Sequence, residues 1–407
     1  MSGNVKLFLF IVGLAAFIGG LLQLFLALFT GVLVIALVYL SYFWQKRVFR
    51  HLTLTKELSQ PKVELGETVE YELTFENRKF LPALWLKVEE AITEGLDFVK
   101  EGVLRKPIGQ EKNTFTDYFN LKWFERIRRR YEVEPQKRGF FKLGPAELYY
   151  KGPLGLFNNQ KHYDISSELV VYPRRLPFSG SDIEPQFLFG SRPRNGWIFT
   201  DPLNPVGVRP YQITDDIRQI NWKASARHQQ LESHIYNPSF DPEIHIFLSA
   251  VRGEAWWKQE MENRFELAVI CAASIVDQTL KKGHRVGFYT NAKGEGRRGR
   301  GIVRPQRGAQ QRILTTLALL RPFSLGPITK LMRDVKQQLR PGNKVVLINT
   351  TREDDIGPLL SDYARNYRVT IIQVGKGERG SVPRGVDCFY LKGDEPWNEI
   401  ENLELTK

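Results

Sequence analysis

The stretch EIHIFLS at residues 243–249, followed at residues 260–290 by EMENRFELAVICAASIVDQTLKKGHRVGFYT, decides the fold of the C-terminal half of the chain. The first segment is a short apolar run, typical of a buried strand. The second repeats apolar residues at three- and four-residue steps, which predicts a long amphipathic helix over Glu260–Lys282. Gly283 ends this helix, and Arg285–Tyr289 returns to a strand pattern.

The alternation of strands and helices continues toward the C-terminus. Further helices are predicted at 310–320, 328–339 and 356–366, and further strands at 344–349, 369–374 and 388–391. Strands that alternate with helices favour parallel pairing, because each helix carries the chain back across the sheet. We therefore predict an α/β domain with a mostly parallel sheet and helices on both faces within residues 200–400.

Nearer the N-terminus the apolar period becomes two. Thr68–Phe75 alternates polar and apolar residues, and Ala83–Val88 has the pattern of a partner strand. Shorter candidates follow at 113–121, 130–133, 140–143, 147–150 and 168–172. Short strands separated by glycine, proline and asparagine predict a β-sandwich domain over residues 52–180.

The first 50 residues predict a transmembrane helical hairpin. Leu7 to Trp44 contains no charged residue. One helix of this length would extend about 57 Å, whereas a bilayer core is about 30 Å thick. Two spans fit better, Leu7–Leu22 and Phe25–Trp44, with a turn at Gly19-Gly20. A single tilted helix and a cleaved signal peptide are the alternatives.

The charges that flank these spans predict their orientation. Lys6 precedes the first span, three cations follow the second, and no acid occurs before Glu57. Positive charge at both ends places both ends, and the domains that follow, in the cytoplasm. We therefore expect a multi-pass protein of the cell membrane that contacts membrane lipid. The three cations are Lys46, Arg47 and Arg50, and the expected interfacial aromatic belt is Tyr39, Tyr42, Phe43 and Trp44.

The chain of 407 residues has a net charge of +13, which suggests anionic partners. The run Arg126, Arg128, Arg129 and Arg130 is interpreted either as a solvated strand edge or as a contact for lipid headgroups. The basic segment 293–312 is either a solvated loop or a phosphate-binding loop. It has no interleaved aromatic residue and no GxxxxGK[ST] motif, so nucleic acid is an unfavoured partner.

No pattern in the sequence predicts catalysis. Cys271 and Cys388 lie in apolar runs and are interpreted as buried free thiols. His228 and His234 lie near Asp216 and Glu232, an arrangement more typical of packing than of a catalytic pair. Without a nucleophile–base set, a metal-ligand cluster or a nucleotide loop, we predict no enzyme, no metal, no cofactor and no small-molecule substrate.

The segment GVRPYQITDDIRQINWKASAR at residues 207–227 concentrates charged residues around two aromatic ones. Such a composition predicts a dense network of ion pairs, and it leaves open a structural role or a docking surface. We carry the docking surface forward, with the two aromatic residues expected to be buried. The candidate residues are Arg209, Tyr211, Asp215, Asp216, Arg218, Trp222, Lys223 and Arg227.

This segment resembles the signature of the bacterial domain-of-unknown-function family 58. The likeness includes all the candidate residues except Asp216, while Thr214 replaces a usual glycine. The stretches 138–145 and 151–157 also resemble the family. The resemblance implies a membrane hairpin, a β-domain and a domain like von Willebrand factor A. It also implies a MoxR-type AAA+ ATPase as partner, in the assembly or activation of other complexes.

Von Willebrand A domains often bind Mg²⁺ through Asp-x-Ser-x-Ser at the end of the first strand. The matching positions here are Ser249, Val251 and Gly253, so the charged ligand is missing. We therefore expect a degenerate metal site. The favoured function is a membrane-anchored scaffold or adaptor. The alternatives are a membrane-associated protein that binds an anionic ligand, nucleic acid or lipid, and an uncharacterised enzyme.

Overall fold

A computed structural model describes residues 3–22, 24–99, 104–105, 113–152, 155–179, 200–213, 215–238, 243–250, 259–294, 301–306, 308–340, 342–350, 356–375, 383–392 and 396–406. The chain divides into two compact units, Met1–Pro173 and Arg174–Lys407. The predicted combination of an apolar N-terminal helix with several sheets and further helices is confirmed. The finer domain bounds 1–50, 52–180 and 200–400 stay a prediction.

Two apolar helices begin the chain, α1 at Gly3–Leu21 and α2 at Phe25–Arg47. Within α2, residues Leu28–Arg47 are long and apolar enough to cross a membrane, whereas the apolar part of α1, Val5–Leu21, is shorter. The turn predicted at Gly19-Gly20 falls after Leu21 instead. Keeping both glycines in the helix satisfies peptide groups that an apolar surrounding would leave unpaired.

The two helices contact each other through small residues. A Cβ built on Gly31 of α2 would overlap the Cβ of Ala16 in α1. Nearer the other ends, Val5 of α1 and Val38 of α2 share a small apolar cluster with Phe157. These contacts pair the start of α1 with the later part of α2, so the helices are antiparallel. Small side chains allow such close approach between helices.

Eleven strands follow among the described residues of the first unit, and they form two sheets. The strands are β1 Leu52–Leu58, β2 Lys62–Glu64, β3 Val69–Asn77, β4 Ala83–Ile92, β5 Leu96–Phe98, β6 Leu104–Arg105, β7 Asn113–Leu121, β8 Arg126–Pro135, β9 Gly139–Lys151, β10 Asn158–Tyr163 and β11 Ser167–Tyr172. One sheet has the order β1-β3-β8-β5. The other has the order β2-β11-β9-β4-β7-β6, with β10 paired to β9.

The inner faces of the two sheets meet in one core. Phe75 of β3 and Phe119 of β7 lie on different sheets, and their ring centroids are 4.4 Å apart. The alternation in β3 turns its apolar side chains inward, as period-two strands do when one face is buried. The unit is thus a β-sandwich attached to the helix pair.

A charged cluster crosses this core. Lys56 Nζ of β1 lies 3.0 Å from Glu90 Oε1 of β4, and both side chains are fully buried. The hydroxyl of Tyr71 donates a 2.6 Å hydrogen bond to the other carboxylate oxygen of Glu90. Burial lowers the pKa of Lys56 and raises that of Tyr71 well above its usual value. The sequence analysis did not predict this cluster.

The second unit contains the strand–helix alternation that the sequence predicts. Its strands are β12 Phe178–Ser179, β13 Thr200–Pro210, β14 Glu232–Pro238, β15 Ile244–Ser249, β16 Val286–Thr290, β17 Ala292–Gly294, β18 Ile302–Gln306, β19 Leu320–Ser324, β20 Lys344–Asn349, β21 Arg368–Val374, β22 Val386–Leu391 and β23 Leu403–Thr406. Its α-helices are α3 Trp222–His228, α4 Gln259–Lys281, α5 Gln310–Ala318, α6 Ile328–Lys336 and α7 Ile356–Asn366.

The main sheet of this unit has the order β12-β23-β22-β21-β20-β15-β16-β18. Neighbouring strands from β22 to β16 are parallel, and antiparallel pairs flank them on both sides. The central strand β15 is buried along its whole length. Its carboxyl end therefore opens on the edge where α/β folds usually place ligands.

The basic segment 293–312 differs from its predicted loop. It contains the strand β18, in which Val303 pairs with Phe288 of β16 and Ile302 pairs with Tyr289. Residues 295–300 and 307 lie outside the described residues. The arginines around Ile302-Val303 obscure the strand pattern in the sequence, and pairing with β16 stabilises it.

Candidate functional site

The signature segment forms a small module of its own, which we call the signature module and define as residues 207–238. β13 and β14 pair antiparallel, with Arg209 opposite Ser233 and Pro210 opposite Glu232. Between them the chain forms a 3₁₀ turn at Ile217–Gln219 and the helix α3. The strand pair is thus a base on which the charged and aromatic residues of the signature are arranged.

Asp215 organises the first half of the module. Arg209 donates to Asp215 Oδ1 at 2.6 Å, and the backbone N–H of Gln212 donates to Oδ2 at 2.9 Å. The Tyr211 hydroxyl donates to the Asp215 carbonyl at 3.1 Å. Arg209, followed by the Gln212 amide, lowers the pKa of Asp215. Arg209, Tyr211 and Asp215 therefore form a structural clasp, because a carboxylate that accepts hydrogen bonds from several donors holds a loop in one conformation.

The second half is held by helix caps. Asn221 Oδ1 accepts from the Ala224 amide at 3.0 Å and caps α3, as asparagine does at helix N-termini. Ser225 Oγ accepts from the Glu232 amide at 2.9 Å and so ties α3 to β14. Asp216 caps the 3₁₀ turn by accepting from the amide of Arg218 at 3.0 Å. Asp216 therefore has a local structural role as well.

The remaining candidates face outward. Trp222 is 67% exposed, which corrects its predicted burial, while Tyr211 is half-buried. The helix α3 has only seven residues, and none of them is buried among the described residues. Ile213 is 97% exposed, and Ile217 is also exposed. Sequence reasoning missed both isoleucines, because an apolar residue in a loop carries no periodic signal.

The cations beside these apolar residues have no ion-pair partner among the described residues. Arg218, Lys223 and Arg227 are exposed, and among the described residues none of them forms an ion pair. Of the predicted dense ion-pair network, the described part of the module contains one arginine–carboxylate pair, Arg209–Asp215. His228 contacts buried Glu232 at 2.5 Å, whereas His234 lies on β14. We call the exposed set the signature surface: Ile213, Ile217, Arg218, Trp222, Lys223 and Arg227.

The predicted degenerate metal position lies apart from this surface in the sequence, at the carboxyl edge of the main sheet. Ser249 ends β15 and pairs with Asn349, the last residue of β20. Ser249 Oγ and Asn349 Oδ1 are both buried without a hydrogen-bond partner in the described structure. Val251 and Gly253 lie outside the described residues.

Two amide side chains form hydrogen bonds at this edge. Asn349 Nδ2 donates to Gln373 at 3.2 Å, and Asn291 Oδ1 accepts from the Ala250 amide at 2.8 Å. The described residues include no group of three His, Cys, Asp or Glu side chains placed to bind a metal ion. That the edge binds no Mg²⁺ stays a prediction, which magnesium calorimetry on wild type and Ser249→Ala can test.

Two other sequence hypotheses concern basic and sulfur-containing residues. Arg128 and Arg130 pair with Glu72 at 2.9 and 3.0 Å, and Arg129 pairs with Asp117 at 2.5 Å. These pairings favour the strand-edge interpretation of the arginine run.

Both cysteines are free as predicted. Cys271 is buried, which raises the pKa of its thiol to about 12, and Cys388 is half-buried.

Comparison with known proteins agrees with the signature. Residues 207–384 match the family described as protein of unknown function DUF58. Over 316 residues the chain is 23% identical to the uncharacterized protein YeaD of Bacillus subtilis strain 168, covering 75% of this chain and 72% of that relative. The matched residues include the signature module and most of the main sheet.

Similarity to solved structures is weak. A CARDB domain from Pyrococcus furiosus is 16% identical, with a TM-score of 0.20, over 30% of this chain and 96% of that one. A cohesin module of a Clostridium perfringens family 33 glycoside hydrolase is 13% identical, with a TM-score of 0.20, over 30% of this chain and 95% of that one. Likenesses at these TM-scores carry no functional information.

The fold and the module together define a protein with an apolar N-terminal helix, a β-domain and an α/β domain that presents a charged and aromatic loop structure. Residues 207–384 of the chain match the DUF58 family, whose function is unknown.

Proposed function

We propose that this protein is a membrane-anchored scaffold or adaptor whose signature surface docks a protein partner, and that it is not an enzyme. The observation that carries the proposal is the exposure of Trp222 beside Arg218, Lys223 and Arg227, none of which forms an ion pair among the described residues. Tryptophan and arginine are the residue types that most often dominate the energy of protein interfaces. Unpaired cations next to them favour a partner with an acidic face.

The partner we propose is a MoxR-type AAA+ ATPase, on the strength of the family resemblance. The α/β domain is then a von Willebrand A-like platform. Its parallel central strands and the position of Ser249 at their carboxyl edge support this assignment. The neutral oxygens of Ser249 and Asn349 at that edge favour docking that needs no metal.

The docking role predicts a loss of capture without a loss of folding. Arg218→Ala and Trp222→Ala should each weaken capture of the ATPase from native membranes about tenfold. The reason is that truncating an anchor residue of an interface typically costs roughly 1.4 kcal/mol or more of binding free energy. Both side chains are exposed, so thermal melting should stay close to that of wild type. The measurement is a pulldown with the full chain, with and without ATP.

Matched controls are available in the same unit. Arg333→Ala on α6 and Phe323→Ala on β19 remove an exposed arginine and an exposed aromatic outside the signature surface. Both should capture the ATPase normally. Arg209→Ala should instead lower stability, because Asp215 loses its main partner. Normal capture by both Arg218→Ala and Trp222→Ala would show that the signature surface is not the docking site.

The anchor we propose is a two-span hairpin with both ends in the cytoplasm. The antiparallel contact of α1 with α2 and the cations Lys6, Lys46 and Arg47 support it. On intact cells, a single cysteine at Ser2 and another at Lys62 should both resist an impermeant maleimide and react after lysis. A cysteine at Lys62 that reacts on intact cells would place the β-domain outside the cytoplasm.

A further inference from the structure

Three loops of the β-sandwich surround the end of α2. They join β3 to β4 at residues 78–82, β7 to β8 at 122–125, and β9 to β10, where the structure describes residues 152 and 155–157. The strand register places them at one end of the sandwich, because Asn77 pairs with Leu52, Glu76 with Arg126, and Lys151 with Asn158. Leu52 begins β1, a few residues after α2 ends.

Hydrogen bonds join this end of the sandwich to the end of α2 and to the residues that follow it. The indole N–H of Trp44 donates to the Pro82 carbonyl at 2.9 Å. The side-chain amide of Asn159 donates to the Gln45 carbonyl at 2.8 Å. The amide of Arg78 donates to the carbonyl of His51 at 3.0 Å. The sandwich is thus hydrogen-bonded to the end of the candidate span.

One loop extends alongside the span itself. Phe157 packs against Val38 of α2 and Val5 of α1, and its ring centroid lies 5.5 Å from that of Tyr42. Val38 precedes Trp44 by six residues, which is about 9 Å along a helix. The loop end of the sandwich therefore faces the side on which the earlier turns of α2 lie.

The other two loops end in exposed aromatic side chains. Phe80 and Trp123 stack with ring centroids 5.3 Å apart, and they are 72% and 58% exposed. Phe124 is 68% exposed and has a φ of 48°, a left-handed conformation unusual for a bulky residue. Its amide donates to the Lys79 carbonyl at 3.2 Å and so joins the two loops. We call Phe80, Trp123 and Phe124 the aromatic tip.

Exposed cations accompany the aromatic tip. Lys122 is next to Trp123 in sequence, Arg78 lies on the other loop, and Lys46 and Arg47 end α2. Aromatic residues among cations are typical of segments at a membrane interface, where rings enter the headgroup region and cations meet anionic lipid. A water-exposed stack of this kind is otherwise unfavourable.

We infer that the aromatic tip inserts into the headgroup–acyl boundary of an anionic bilayer beside α2 and seats the β-sandwich on the membrane. This inference rests on the proposed anchorage by α2. It adds to that proposal a second, independent contact with lipid. The sandwich then has one fixed orientation relative to the bilayer, because its connection to α2 is no longer its single link to the membrane.

Spin-label depth measurements on the full chain test the inference. In a Cys271→Ala, Cys388→Ala background, single cysteines at Phe124, at Leu40 of α2 and at Phe323 are labelled with a nitroxide. The protein is reconstituted in vesicles of phosphatidylcholine and phosphatidylglycerol. Power saturation with oxygen and with a water-soluble nickel chelate then gives the depth of each label.

We expect the Leu40 label in the acyl region, the Phe124 label about 5–10 Å below the headgroup surface, and the Phe323 label in water. A Leu40 label in the bilayer with a Phe124 label in water overturns the inference and leaves the anchorage standing. A Phe124 label shielded from both relaxants lies against protein, which also overturns it. A Leu40 label in water refutes the anchorage itself, and the inference with it.

Discussion

Glu90→Ala should lower the free energy of unfolding of the β-sandwich by about 3–5 kcal/mol, the usual effect of removing one partner of a buried ion pair. Lys56 Nζ would be left fully buried without its carboxylate at 3.0 Å, and the hydroxyl of Tyr71 would lose its acceptor. A native protein is stable by only about 5–15 kcal/mol, so this loss should be readily visible. Hydrogen exchange of the β3 and β4 amides in the detergent-solubilised chain measures it.

Two variants separate the ion pair from general effects of mutation. Arg78→Ala removes an exposed partner of Glu76 and should leave the stability close to that of wild type, because solvent screens exposed ion pairs. The double variant Lys56→Met, Glu90→Leu should recover most of the loss, because apolar residues of similar size often replace a buried pair without cost. A loss below about 1 kcal/mol in Glu90→Ala would mean that the two sheets do not enclose this pair.

Gly31→Leu should separate α1 from α2. Even a Cβ at this position would overlap Ala16, so a leucine side chain cannot be placed while the helices stay in contact. Overpacking of this kind costs about 1–3 kcal/mol of stability. A free-energy change of about 1.4 kcal/mol corresponds to a tenfold change in an equilibrium constant, here the one for contact between the two helices. We therefore expect bismaleimide cross-linking between Val5→Cys and Val38→Cys, in a background without the native cysteines, to fall about tenfold or more.

Gly13→Leu is the matched control for this experiment. It makes the same substitution in α1 at a position where a Cβ would meet no atom within 4 Å. Cross-linking should be as efficient as in the parent protein. Equal cross-linking in Gly31→Leu would show that the helices do not pack through this glycine, and it would leave a single tilted span as the better anchor.

Much of the secondary structure could be predicted because it depends on neighbouring residues. The helix predicted over Glu260–Lys282 is found at Gln259–Lys281, and the strand predicted over Thr68–Phe75 is found at Val69–Asn77. Apolar periodicity indicates which face of a helix or strand is buried, and glycine and proline indicate where the element ends. β18 was missed because arginines interrupt its pattern and its pairing with β16 lies outside any local window.

The candidate site was predicted only in part. The sequence by itself determined the match of residues 207–384 to the DUF58 family and the residue types of the signature. It did not determine that Asp215 holds Arg209 in a clasp while Trp222 faces the solvent. Whether a tryptophan is buried depends on whether another layer covers it, and among the described residues no residue of this seven-residue helix is buried.

The same distinction applies to the whole chain. Local spacing of apolar and charged residues determined the apolar N-terminal helices, the alternating strands and the long helix α4, since steric preference and burial act over a few residues. Only the tertiary structure brought Lys56 to Glu90 across two sheets and Phe80 to Trp123 between two loops. Such contacts depend on strand register and sheet packing, which join residues far apart in sequence and leave no periodic trace within it.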